Sequence, residues 1–203
     1  MKAFCALAGV IALGLPVATS AQEIEASSEF GVNVATSGGG TTETTASLGT
    51  ELSFGGAFIG GSVESLYQDP VDKAEVTLTF GYGFDLGNDF ALTASYARIY
   101  LDKSGFASHE VAVALDFPVS DNVGGTLEVV HDLTADNTDV SLSTEFGLGG
   151  NFTGAALVGY DGAATYGELG VSYAFNDNIS TGLVVEMAEN TPAVYNFGVT
   201  FGF

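Results

Sequence analysis

Positive charge is almost missing from this sequence. Its 203 residues include four Lys and Arg side chains against 25 Asp and Glu, which gives a formal net charge of −21 at pH 7. A surface that binds nucleic acid needs Lys and Arg to neutralise phosphates. We therefore expect no nucleic-acid partner.

Cysteine is nearly absent as well, since Cys5 is the only one. It lies in an N-terminal stretch in which Lys2 precedes an apolar run, and the run ends in small residues up to Ala21. This pattern is typical of a secretory signal peptide. We predict a signal peptide over residues 1–21 and a single domain over residues 22–203. Removal of the peptide would leave no thiol, so we expect neither a disulfide nor a cysteine metal site.

Long apolar runs are also missing after residue 21, so no transmembrane helix is predicted. Acidic chains are often disordered. This one is 46% hydrophobic, however, with 15 Phe and 8 Tyr, which argues against disorder. Its 28 glycines and only four prolines favour a β-sheet protein with many turns.

Apolar residues instead recur with a period of two. Between residues 74 and 86 one face of the segment is apolar and the other is small or polar. The same alternation returns at 109–117, 139–148, 166–175 and 195–203. Strict alternation of this length predicts strands that have one apolar and one polar face.

Turns of two kinds separate these strands. Tight turns rich in Gly, Asn and Asp, where we expect positive φ, lie at 54–58, 86–90, 119–122, 149–151 and 176–178. Looser polar loops lie between them, at 37–43, 68–73, 101–108, 134–139, 161–165 and 188–193. The series predicts an all-β chain of hairpins with about 12 strands, and 10 or 14 strands would also fit.

An even strand number brings both chain ends to the side of the tight turns. This arrangement is typical of a transmembrane, antiparallel up-and-down β-barrel in the bacterial outer membrane. A membrane sheet has to close, so the last strand should pair with the first. Phe203 would then join a periplasmic aromatic girdle with Phe54, Phe84, Phe117 and Phe175. The chain end also resembles the assembly signal of outer-membrane proteins, carried by Tyr195, Phe197, Phe201 and Phe203.

A soluble β-sandwich or soluble barrel is the alternative, with its apolar face turned inward. That alternative explains neither the aromatic last strand nor the regular exchange of tight turns and loose loops. The pattern therefore favours the membrane barrel, with outer-membrane lipids and the assembly machinery as its partners.

Acidic residues fall on the polar face of the predicted strands. By parity, the inward set comprises Glu51, Glu64, Glu75, Glu110, Glu128, Glu145, Glu168 and Glu186. Counting from the tight turns places Glu64, Glu110, Glu168 and Glu186 near mid-barrel. For any single position, a solvated polar residue without a selective role is the favoured interpretation, and the collective charge is the firmer prediction.

These acids favour a water-filled interior. Burying unpaired carboxylates is costly, and only Lys73, Arg98 and Lys103 could pair with them, all at or near the outer loops. We therefore expect a porin that allows passive diffusion of small hydrophilic solutes and prefers cations. The alternative is a non-conducting barrel with a structural or surface-binding role. The oligomeric state is not predicted.

The two histidines are candidates for a catalytic or metal site. Extending the predicted hairpin around residue 120 pairs His109 with His131 on the outward face. Ser108, Glu110 and Asp132 are nearby in sequence, but alternation turns them to the other face. A two-histidine metal site would lack an obvious third ligand. We expect no enzyme, no cofactor and no metal. The three cations could contact anionic groups of the outer leaflet.

The signal peptide, the hairpin series and the ending "FGVTFGF" resemble Gram-negative outer-membrane porins. More narrowly, residues 55–117 resemble the small TorF-type porins, in which a Gly-rich strand precedes an acidic-start strand, a tight turn and a strand that ends in Tyr. Glu75, Gly81, Tyr82 and Tyr100 carry this resemblance here. It implies passive transport across the outer membrane and brings no residue-level site.

Overall fold

Twelve β-strands form the part of the chain that is described in the computed structural model, which comprises residues 24–37, 40, 42–66, 69–120 and 122–203. The predicted signal peptide lies outside these residues. The strands are β1 (Ile24–Ser37), β2 (Thr42–Phe54), β3 (Ala57–Ser65), β4 (Ala74–Gly87), β5 (Phe90–Leu101), β6 (Gly105–Ser120), β7 (Val123–Asp132), β8 (Asn137–Gly149), β9 (Phe152–Tyr160), β10 (Thr165–Asn176), β11 (Ile179–Ala188) and β12 (Val194–Gly202).

The strands form one closed barrel in which each strand is hydrogen-bonded to its neighbours in sequence. β1 pairs antiparallel with β2 on one side and with β12 on the other, from Glu29 opposite Gly202 to Ser37 opposite Val194. Closure leaves no strand without a partner on either side, as a barrel in hydrocarbon requires. The predicted fold of about 12 strands, closed between the first and the last, is confirmed.

The five tight turns lie where the sequence predicts them, but they do not share one backbone conformation. Gly55, Asn88, Asp89 and Gly150 have positive φ. The turn at 176–178 has no residue with positive φ, so that part of the prediction is wrong. This turn is instead an Asx turn, in which the Asn176 side chain accepts a hydrogen bond of 2.9 Å from the backbone N–H of Asn178.

The apolar face of the sheet is the outer surface of the barrel. No apolar side chain of the described residues is buried, whereas large ones such as Phe80, Leu78 and Phe197 are about half exposed. They alternate along each strand with the side chains of the inner face. An apolar exterior without an apolar core is the arrangement of a membrane barrel and the reverse of a soluble one. The soluble alternative is therefore wrong.

Aromatic side chains gather near the turn end of the barrel, where Ile24 and Phe203 lie. Tyr82 packs on Phe84 with ring centroids 4.7 Å apart, and Tyr173 packs on Phe175 at 5.0 Å. Phe54, Phe84, Phe175 and Phe203 are exposed there, as the predicted girdle requires. Phe117 is less exposed, because its ring lies over Gly125 on the adjacent strand.

No helix among the described residues is long and apolar enough to cross a membrane.

Candidate functional site

The inner face of the barrel carries the acidic side chains. All eight glutamates of the predicted set lie in strands, and each occupies the face opposite the exposed apolar side chains of its strand. Seven are partly exposed and Glu145 is exposed, so none is buried. The inner wall is therefore accessible to solvent at these positions. Whether they line a conducting pore stays a prediction.

Strand pairing brings several of these acids side by side. Glu64 of β3 is opposite Glu75 of β4, and Glu168 of β10 is opposite Glu186 of β11. Glu186 also accepts a hydrogen bond from the Asn196 amide of β12. Because like charges directly across a ladder repel each other, these pairs depend on solvent or counter-ions.

The predicted mid-barrel height of Glu64, Glu110, Glu168 and Glu186 is wrong, because all four lie in the half of their strands that is next to the looser loops. Glu64 is the penultimate residue of β3, and Glu110 is opposite Asp132, the last residue of β7. Both therefore lie toward the end of the barrel that carries the looser loops. Neighbouring strands are staggered along the barrel axis, and their lengths vary from 9 residues in β3 to 16 in β6. The number of residues between a glutamate and the nearest turn therefore does not give its height in the barrel.

The inner face carries further carboxylates beyond the predicted set. Simple alternation is the signal that assigns them to this face, because each is an even number of residues from an inward neighbour on its strand. They are Glu29 in β1, Glu43 in β2, Asp85 in β4, Asp116 in β6, Asp132 in β7 and Asp139 in β8. The inner wall is consequently more acidic than the predicted set indicates.

No Lys or Arg side chain lies on the inner face of the described strands. Lys73 and Lys103 are in the loops that precede β4 and β6. Arg98 is in β5, opposite Leu78 of β4 and His109 of β6, on the apolar outer face. None of the eight glutamates forms an ion pair with Lys or Arg, so the inner wall is negative without internal compensation.

Two loops are fastened together at the outer mouth. The carboxylate of Asp72 accepts hydrogen bonds from the backbone N–H groups of Lys103 and Ser104, each at 2.9 Å, and from the Ser104 hydroxyl at 2.6 Å. In return, Asp102 accepts a bond of 2.8 Å from the backbone N–H of Lys73. We call Asp72, Asp102 and Ser104 with their partners the loop clasp.

The loop clasp includes the most buried carboxylate of the described residues. Asp72 is 3% exposed although it lies outside the membrane-spanning strands. The Ser104 hydroxyl, together with the N–H groups of Ser104 and Lys103, holds the pKa of Asp72 below its ordinary value, against the opposing effect of desolvation. The carboxylate is therefore charged at neutral pH.

The predicted pairing of His109 with His131 is wrong. His131 is opposite Val111 and His109 is opposite Arg98, because Phe117 pairs with Gly125 and not with Val123, which places the β6–β7 ladder two residues away from the predicted pairing. The Nδ1 atom of His109 is 3.0 Å from the Tyr96 hydroxyl, and the Nδ1 atom of His131 is 3.0 Å from the Thr138 hydroxyl. Each ring is thus held by a separate hydroxyl.

The residues of the predicted assembly signal lie on the outer face of β12 and, for Phe203, directly after it. Tyr195, Phe197 and Phe203 are at least half exposed, and the Phe201 ring packs toward Phe30 of β1 with a centroid distance of 6.3 Å. Phe203 extends the closing ladder, since its N–H and C=O both bond to Ser28 at 2.9 Å. A role in assembly stays a prediction.

Comparison with known proteins gives structural matches alone. No family model matches the chain, and no curated protein does. A solved structure of the KdgM porin matches with a TM-score of 0.72 at 12% identity, over 86% of this chain and 99% of that one. The chain has the fold of an outer-membrane porin.

Two further porin structures agree with that assignment. KdgM porin in complex with disordered oligogalacturonate gives a TM-score of 0.69 at 11% identity, over 87% of this chain and 99% of that one. NanC porin gives 0.65 at 12% identity, over 85% and 98%. The predicted outer-membrane porin fold is confirmed, while the narrower resemblance to TorF-type porins stays a prediction.

Proposed function

We propose that this porin-fold protein is a diffusion channel for small hydrophilic solutes and that it favours cations. One observation carries the proposal: many carboxylates and no Lys or Arg lie on the inner face of the described strands. A wall of one charge in a low-dielectric membrane concentrates counter-ions. Residues 1–21 would act as the export signal of this channel.

The expected dimensions support diffusion. Twelve strands spaced about 4.8 Å apart and tilted by about 40° enclose roughly 24 Å between backbones. Small side chains occupy much of the inner face, among them Ser27, Gly60, Ser95 and Gly170. A channel of moderate width would remain for water and small solutes.

The negative charge of the inner wall favours a cargo different from the ligand in one neighbouring porin structure. KdgM porin was solved with oligogalacturonate, a polymer of sugar acids that is negatively charged at neutral pH. A negative inner wall opposes such a polyanion. We therefore propose neutral and cationic small solutes, and no acidic oligosaccharide, as the cargo of this chain.

Other partners and activities follow from the same arrangement. The apolar band would contact outer-membrane lipids, and the last strand would engage the assembly machinery. We propose no catalytic role, because the hydroxyl beside His109 belongs to Tyr96 and the carboxylate nearest His131, that of Asp136 at 3.8 Å, is 97% exposed in a loop. Ser108, Glu110 and Asp132 lie on the opposite face from them.

Reversal potentials in a salt gradient across a planar bilayer test the proposal. Joint replacement of Glu64, Glu110, Glu168 and Glu186 by Gln should lower the cation-to-anion permeability ratio. The effect should fade as salt rises, because screening shortens the reach of each charge to about 8–10 Å. The fold should persist, since no buried partner is orphaned.

A matched control removes carboxylates that lie outside the wall. Asp136→Asn with Glu189→Gln neutralises two exposed loop residues and should leave the reversal potential almost unchanged. An anion preference in the wild type, or an unchanged potential in the quadruple variant, contradicts the proposal. A folded protein without any conductance would favour the structural barrel instead.

A further inference from the structure

Arg98 is a cation on the outer, apolar face of the barrel. It alternates with Tyr96 and Tyr100 along β5 and lies opposite Leu78, which is 51% exposed. Arg98 itself is exposed and forms no ion pair with a carboxylate of the described residues. In a chain with 25 Asp and Glu, an outward Arg without such a partner indicates an anionic ligand from outside the protein.

Arg98 differs in this respect from the two lysines nearby. The ammonium groups of Lys73 and Lys103 donate to the carbonyls of Asp69 and Val71. Both belong to the loop clasp, and its Asp72 and Asp102 together with the neighbouring Asp69 outnumber them. Their charge is therefore balanced locally, whereas the carboxylates nearest Arg98 along the sheet lie on the other face of the wall.

Aromatic rings frame the Arg98 guanidinium. Its carbon lies 4.9 Å from the Phe106 ring centroid and 5.4 Å from that of Tyr100, within the range of a cation–π interaction. Phe106 and Tyr96 each meet the His109 ring edge-on, at 5.7 and 5.8 Å. These contacts orient the guanidinium and leave its planar set of N–H donors available for an anion.

Arg98 lies near the outer end of its strand. It lies three residues from Leu101, the outer end of β5. That is about 10 Å along the strand and about 8 Å along the barrel axis at the usual tilt. Tyr and other aromatic side chains mark the membrane–water interface. A cation is costly at the centre of the bilayer but nearly free at the interface.

We propose that Arg98, framed by Tyr100, Phe106 and His109, binds the phosphate-bearing headgroup of an outer-leaflet lipid. Guanidinium donors match phosphate oxygens in pairs, and the aromatic frame supplies apolar surface for the first part of the acyl chains. The site lies outside the channel and is independent of the proposed conduction.

Native mass spectrometry from detergent tests the proposal, with bisphosphorylated lipid A and its dephosphorylated counterpart as probes. The wild-type barrel should retain bisphosphorylated lipid A in preference. Arg98→Gln should retain about tenfold less of it, as expected for the loss of one charge-assisted pair. Binding of the dephosphorylated lipid should not change. A parallel arm adds inorganic phosphate, which should compete only weakly because it lacks acyl chains.

Two controls keep the result interpretable. Lys103→Gln removes a cation from the loop clasp and should retain as much lipid as the wild type. Gel migration with and without heating shows whether each variant is folded, and bilayer conductance should be the same for Arg98→Gln and wild type. Equal lipid retention by folded Arg98→Gln and wild type would overturn the proposal, as would an equal loss in Lys103→Gln or displacement by dilute inorganic phosphate.

Discussion

Some glycines of the barrel wall lie beneath aromatic rings of the adjacent strand. A Cβ on Gly81 would collide with the inward ring of Phe58 and lie 2.7 Å from the backbone oxygen of Ala94. Gly159 is covered by Tyr166 in the same way. Because interiors are close-packed, a ring can lie flat on the wall only where the residue beneath it has no side chain.

Gly81→Ala should destabilise the barrel. The new methyl group meets a backbone oxygen, which cannot move without disturbing the β4–β5 ladder. Overpacking of this kind costs about 1–3 kcal/mol. Urea unfolding in lipid vesicles would measure the change in the free energy of unfolding.

Gly49 of β2 provides the matched control, because a Cβ there meets nothing within 4 Å. Gly49→Ala should unfold at nearly the wild-type urea concentration. Equal effects of the two substitutions would show that the ring over Gly81 is not the cause.

At the scale of elements, the loop clasp joins segments that are about thirty residues apart in sequence. Asp72→Ala removes the acceptor of three hydrogen bonds and should loosen both loops. Trypsin cleavage measures this loosening of the loops. Lys73, Arg98 and Lys103 are the only Lys and Arg after residue 21, and both lysines are in the clasp. At neutral pH, we expect cleavage at Lys103 in Asp72→Ala and resistance in the wild type.

The clasp should weaken in acid. Because the folded-state pKa of Asp72 is lowered, its stabilising effect is fully present above about pH 4 and is lost as the pH falls through the lowered value. Carbon-13 NMR of the carboxylate would record this titration. Asp136→Ala is the control for trypsin, since the Asp136 side chain is 97% exposed, and cleavage of that variant at Lys103 would contradict the assignment.

The last residue of the chain completes the closing ladder between β12 and β1. Deletion of Phe203 removes both of its backbone hydrogen bonds to Ser28 as well as an aromatic ring at the rim. Phe203→Asp keeps the backbone but places a charge at the lipid interface, which is unfavourable there. Both should lower the yield of heat-modifiable barrel in the membrane fraction, the deletion more strongly.

Phe203→Tyr keeps both the backbone bonds and an interfacial ring, so its yield should match that of the wild type. If the deletion also assembles at the wild-type level, the chain end contributes neither to closure nor to assembly.

At the scale of the whole molecule, closure between the first and last strands can be tested by a disulfide. Ser28 and Phe203 exchange both backbone hydrogen bonds. Bonded and non-bonded pairs alternate along the ladder, so Ala35 and Asn196 form a non-hydrogen-bonded pair. Such residues have Cα atoms about 4.5 Å apart, within the range of a disulfide.

Ala35→Cys with Asn196→Cys should therefore oxidise readily in the folded barrel. Non-reducing electrophoresis of heated protein would detect the cross-link as faster migration. Ala35→Cys with Ala97→Cys is the control, because Ala97 lies in β5, which is not adjacent to β1. Absence of a cross-link in folded Ala35→Cys/Asn196→Cys protein would contradict the closed twelve-stranded order.

The sequence by itself determined which face of each strand is apolar, where the tight turns lie and that the strands number about twelve. These features are local: a period of two assigns each side chain to a face, and Gly, Asn and Asp mark the turns. For the same reason Glu168 and Glu186 could be assigned to the inner face without coordinates.

Only the tertiary structure decided register, height and contacts between distant loops. The β6–β7 register, in which Phe117 is opposite Gly125, separates His109 from His131, and strand stagger moves Glu64 and Glu110 toward the outer end. Both depend on how all twelve strands close together, and bulges and shear leave little trace in local sequence. The Asp72 contact with Ser104 and the rings around Arg98 arise in the same way, because closure brings together residues that no local pattern connects.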